Sequence, residues 1–115
     1  MTRRVLPVLL LLCVFAPALQ AHAHLEETSP PQGSVLHGAP QQLVLRFSEP
    51  ARLTTLTFER EGAAPQKIAP LPGQSAARIV VPLPPLAAGR YRVRWRVLSA
   101  DGHVLPGELH FTLNP

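Results

Sequence analysis

The sequence predicts an all-β domain, a Greek-key sandwich of about seven strands. Three observations point there. Apolar residues alternate with polar ones at period two in several short runs. Clusters drawn from 14 prolines and 7 glycines separate those runs. The only helix-like stretch is the apolar N-terminal segment, which reads as an export signal and not as part of the fold.

That segment begins with the basic Met1-Thr2-Arg3-Arg4, continues apolar from Val5 to Leu19, and ends in Gln20-Ala21. It is short for a membrane span and is broken by Pro7 and Pro17. Cys13 follows Leu12, where lipoprotein processing wants a small residue. Residues 1–21 are therefore read as a removed signal peptide and residues 22–115 as one exported, periplasmic domain. Cys13 and Met1 leave with the signal, so the mature chain has no disulfide and no sulfur ligand.

The strand candidates follow in order. In "QLVLRFS", Leu43, Leu45 and Phe47 alternate with Val44, Arg46 and Ser48. "LTTLTFER" puts Leu56 and Phe58 on one face, and "ARIVVPL" is a short apolar strand ended by Pro82. In "GRYRVRWRVLS", Tyr91, Val93, Trp95 and Val97 face a core while Arg90, Arg92, Arg94 and Arg96 face solvent. "GELHFTL" closes the chain with Leu109, Phe111 and Leu113 inward. Turn residues mark the gaps at 30–33, 38–40, 72–73, 84–85 and 88–89. Strands this short bury themselves only by pairing two sheets, which places the domain near the immunoglobulin or cupredoxin-like class.

The sequence pI near 10.6 invites a nucleic-acid reading. Once Arg3 and Arg4 are set aside, nine Lys/Arg face seven Asp/Glu. An exported chain with that mild excess is not expected to bind nucleic acid. The mature domain is expected to be a monomer outside the membrane.

The chemistry gathers at two distant places. Cutting after Ala21 makes His22 the first residue, with an α-amino nitrogen and Nδ1 able to chelate one metal. Far along the chain, Asp101 and His103 stand at i, i+2, a spacing that in an extended segment points both side chains the same way. Three nitrogens and one carboxylate oxygen in a flat array suit Cu(II). His24 opens another mode. The tripeptide His22-Ala23-His24 can bind Cu(II) through its amine, two deprotonated amides and the third imidazole. Cutting after Ala23 would instead make His24 the first residue.

The sequence resembles the CopC/PcoC family of periplasmic copper-binding, copper-resistance proteins. The matching pieces are "HAHLEETSPPQGSVL", "LVLRFSEP" and "GRYRVRWRVLSADGHVLPGELHFTL". The resemblance implies a Cu(II) site made by His22, Asp101 and His103, with Glu49 close by and His24 auxiliary. The family's spacing of a first His with Leu three residues on favours His22 and Leu25. It also implies a non-catalytic carrier or buffer that passes copper to a CopD-type inner-membrane protein. Some members carry a methionine-rich loop for Cu(I); "RLTTLTFEREGAAPQKIAP" has none. Two other functions use the same residues: a copper monooxygenase with an N-terminal histidine chelate, and a metal-free immunoglobulin-like interaction module.

Overall fold

The computed structural model describes residues 3–5, 7 and 23–115. The expected signal boundary and His22 lie outside the described residues. Seven strands follow in order: β1 (Leu25–Ser29), β2 (Ser34–Leu36), β3 (Gln42–Arg60), β4 (Gln66–Lys67), β5 (Ala76–Pro82), β6 (Gly89–Ser99) and β7 (Val104–Leu113). The all-β expectation of about seven strands holds.

The hydrogen-bonded path runs β1-β3-β6-β7-β2, with β4 and β5 also on β3. All pairings are antiparallel except β2, which lies parallel to β7. The sequence reading divides "QLVLRFS" from "LTTLTFER". In the structure they form one strand of 19 residues. Its first half pairs with β1 and β5, and from Ala51 onward it pairs with β6. The join is Ser48-Glu49-Pro50. Pro50 has no N–H to give a ladder, and it stands where β3 changes partners, so no ladder bond is lost.

This bend folds one curled sheet into two facing layers. Leu43, Leu45 and Phe47 come from the first layer, and Leu56, Phe58, Tyr91, Val93, Trp95, Val97, Leu109 and Phe111 from the second. All are buried in a single cluster, as the period-two alternation requires. Tyr91 stacks on Phe111 with ring centroids 5.1 Å apart, and its hydroxyl donates to the Ala87 carbonyl. The β6 arginines turn outward. Glu108 takes Arg92 at 3.0 Å and Arg94 at 3.7 Å, and Glu61 faces Arg90 at 3.8 Å. Exposed pairs of this kind add little stability, about 0–1 kcal/mol each.

Trp95 and Gly107 are cross-strand partners on the core face. The indole lies over Gly107, so an added Cβ there would fall inside the ring's contact envelope. Gly107→Ala is therefore expected to destabilise by about 1–3 kcal/mol through overpacking. For a domain of this size each kcal/mol lowers Tm by roughly 4–8 °C. Gly73→Ala, which meets open space, is the control. Equal thermal melts for the two variants would contradict this packing.

Candidate metal centre

The turn between β6 and β7 is built around one buried hydroxyl. Ser99 is the last residue of β6 and occupies the inward row after Tyr91, Val93, Trp95 and Val97. It is the one buried polar residue among those described. Its N–H donates to the His103 carbonyl at 2.9 Å, and its carbonyl accepts the Gly102 N–H at 3.0 Å. Gly102 has φ +86°, a left-handed conformation that glycine adopts without strain. The Ser99 hydroxyl donates to Asp101 Oδ1.

Asp101 then holds His103 twice. Oδ1 accepts the His103 N–H at 3.3 Å, and Oδ2 lies 2.8 Å from His103 Nδ1. The Asp101 side chain is 26% exposed and that of His103 is 66% exposed, so the imidazole is open to solvent. The i, i+2 spacing does bring the two side chains together. It works through a tight turn at Gly102, the bend that a glycine between the two residues allows.

The carboxylate is strongly biased toward its ionised form. Donation from the Ser99 hydroxyl, followed by the contact with His103, holds the Asp101 pKa well below the usual carboxylate range. Asp101 thus remains an anionic donor in acid far below neutrality.

β3 joins this turn to the N-terminal segment. Ser99 is paired with Ala51. Three residues earlier, Ser48 N–H donates to the His24 carbonyl at 2.8 Å, and His24 N–H donates to Ser48 Oγ at 2.8 Å. Glu49 lies between them with an exposed side chain, and the His24 side chain is exposed too. β3 thus links the His24 backbone to the β6–β7 turn. His22 lies outside the described residues. Among the described residues, no three His, Cys, Asp or Glu side chains form a metal-binding group. Of the predicted ligands among the described residues, Asp101 and His103 meet.

That pair fits a copper site. Neighbouring donors about 2.0 Å from a metal and at right angles to each other are about 2.8 Å apart. Asp101 Oδ2 and His103 Nδ1 have that separation. The same distance is an ordinary hydrogen bond, and copper would take the Nδ1 lone pair in place of that bond, from the tautomer whose proton sits on Nε2.

Residues 25–114 match the family model of the CopC domain. The chain belongs to the CopC family. Copper resistance protein C of Escherichia coli is 34% identical over 112 residues, covering 87% of this chain and 89% of that one. The crystal structure of CopC from Methylosinus trichosporium OB3b superposes with a TM-score of 0.68 at 27% identity, covering 82% of this chain and 95% of that one. PcoC, a methionine-rich copper resistance protein from Escherichia coli, gives a TM-score of 0.58 at 32% identity over 82% of this chain and all of that one. This CopC-family chain differs from PcoC in one plain respect, since its single methionine is Met1.

The sequence reading has Ser99 and Ser48 within its motifs but gives neither a role. Ser99 had a signal: it is the one serine at an inward position of the β6 alternation. Ser48 had none, because its partner His24 is set by the pairing of β1 with β3.

Ser99→Ala removes the main stabiliser of the Asp101 anion. Its folded pKa is expected to rise toward the ordinary value near 3.9. The sign follows from linkage. A depressed carboxyl pKa contributes stability above the unfolded value and loses it as pH falls through the folded value. The variant should therefore lose the Asp101 contribution at a higher pH than the parent does. Carbon-13 titration of the Asp101 carboxyl is the measurement; identical curves for the two proteins would remove Ser99 from this role.

Proposed function

We propose that the mature chain is a periplasmic, non-catalytic Cu(II) carrier or buffer, acting as a monomer. Its ligands are the α-amine and ring nitrogen of His22, together with Asp101 and His103. The observation that carries this reading is the Asp101–His103 pair. The two side chains lie 2.8 Å apart in the β6–β7 turn, with the Asp101 carboxylate biased toward its ionised form, and β3 links that turn to the N-terminal segment. Similarity to copper resistance protein C supports copper as the cargo. The oxidation state rests on donor chemistry. After Met1 and Cys13 are removed, no sulfur remains to favour Cu(I), and imidazole, amine and carboxylate suit Cu(II).

Each residue has a separate task. The terminal amine and imidazole form a chelate within one residue. Asp101 adds negative charge opposite the dication, and Ser99 keeps that charge present. His103 completes the plane with a side chain that solvent and a partner can reach. Four protein donors fill the equatorial positions, which favours holding copper over activating a substrate. Glu49 stands beside the site as an exposed carboxylate able to orient the amine. The recipient is a CopD-type inner-membrane protein, which takes the ion from the exposed imidazole side.

The chain processed after Ala21 is expected to take up one Cu(II) per molecule in a calorimetric titration. His103→Ala should weaken it by more than the about 10–100-fold that outer-shell changes cost. Acetylating the α-amine, or adding one residue before His22, should weaken it similarly. Lower pH should release copper, because protons compete with the metal for the amine and imidazole nitrogens. Copper uptake unaffected by the acetyl cap would overturn the ligand set.

A further inference from the structure

Ser48 stands where β3 leaves β1. Up to the Leu25–Phe47 pair the two strands form an antiparallel ladder. The next opposed residues are His24 and Ser48. A regular hydrogen-bonded pair would exchange two main-chain bonds here. One is present, from Ser48 N–H to the His24 carbonyl at 2.8 Å. The return bond goes from His24 N–H to the Ser48 hydroxyl oxygen, also at 2.8 Å. A side-chain hydroxyl thus stands in for a main-chain carbonyl at the residue where β3 turns toward Ala51.

That substitution matters because of the tripeptide His22-Ala23-His24. A chain beginning at His22 has two ways to hold Cu(II). In one, the terminal residue joins Asp101 and His103. In the other, the tripeptide closes on the ion by itself. The amide protons of Ala23 and His24 then pass to water, and both amide nitrogens bind the metal beside the amine and the His24 imidazole. The second mode needs the His24 amide nitrogen as a ligand. The fold uses that same N–H as the donor to Ser48. One nitrogen cannot do both.

We propose that Ser48 selects the coordination mode. By holding the His24 N–H, it bars the terminal tripeptide from closing on Cu(II) alone and leaves the terminal residue to meet the β6–β7 turn. The inference rests on the copper reading above and names the residue that decides between two sites available to the same terminus. Ser48 is a positioning residue, since it acts through the backbone of His24. Only an oxygen acceptor at that place serves, so Thr should replace it and Ala should not.

The test uses the chain processed after Ala21 with copper(II) sulfate as the probe. In the parent, the visible and electron paramagnetic resonance spectra should change with His103→Ala and not with His24→Ala. In Ser48→Ala, absorption should move to shorter wavelength, because two deprotonated amides strengthen the ligand field. It should then ignore His103→Ala, collapse with His24→Ala, and release two more protons per copper in a pH-stat. Ser48→Thr should behave as the parent. A metal-free readout stands beside these. Exchange of the His24 amide, followed by NMR, should quicken about tenfold in Ser48→Ala, the scale of one hydrogen bond. Parent-like spectra in Ser48→Ala, still sensitive to His103, would overturn the proposal. So would a parent spectrum that depends on His24, or a parent His24 amide with no protection. If the His24 amide is protected and no variant binds copper stoichiometrically, the copper reading fails and mode selection fails with it, while the hydrogen bond stands.

Discussion

The continuity of β3 through its bend is the constraint on which the rest depends. The strand belongs to both layers of the sandwich, so its inward residues build both halves of the core. Leu43 and Leu45 are fully buried before the bend, and Ala51 is fully buried after it. A chain break there would divide one cluster into two small ones, each too thin to exclude water. The bend has a local cause in Pro50, which cannot join a ladder, and a local repair in Ser48, whose hydroxyl completes one.

The candidate metal centre depends on the same strand. The N-terminal segment and the Asp101–His103 turn lie far apart in sequence and make no strand pairing with each other. Each is hydrogen-bonded to β3, at Ser48 and Ala51 respectively. Their spacing is therefore set by the stretch of β3 from Ser48 to Ala51, which carries the bend at Pro50. A shared main-chain support of this kind suits a site whose donors come from separate elements, because coordination geometry tolerates little slack. The turn itself is tightened from below. Ser99 sits in the core row and turns its hydroxyl up to Asp101, which in turn holds His103 by ring and backbone.

PcoC is a methionine-rich relative, whereas residues 23–115 of this chain hold no sulfur. The Asp101 carboxylate is biased toward its ionised form. The exposed β6 arginines belong to the solvated face of the sheet and pair with Glu108 and Glu61. They are a structural surface and carry no part of the site.

Much of the fold was legible because alternation at period two is a local property. Tyr91 to Val97 and Leu109 to Leu113 declare their inward sides without knowledge of any partner. β1, β2 and β4 were not legible as strands. "LEETS" is polar and mostly exposed, "SVL" has three residues, and "QK" two, so each exists only because a neighbour offers a ladder. The single long β3 was hidden for a related reason, since Pro50 locally reads as a stop. At the site, the residue types and the Asp-Gly-His spacing were readable. The bend at Gly102 was readable too, but the hydroxyl of Ser99 that closes on Asp101 was not, because that contact depends on how the turn folds back.

By itself, the sequence determined the donor chemistry, the inward faces and the family. These depend on residue identity and short-range spacing, which the chain carries everywhere it goes. Tertiary structure alone decided that Ser48 holds His24 and that Ser99 holds Asp101. Those bonds join groups whose meeting depends on how β3 bends, and hydrogen bonds act only over the last few tenths of an ångström.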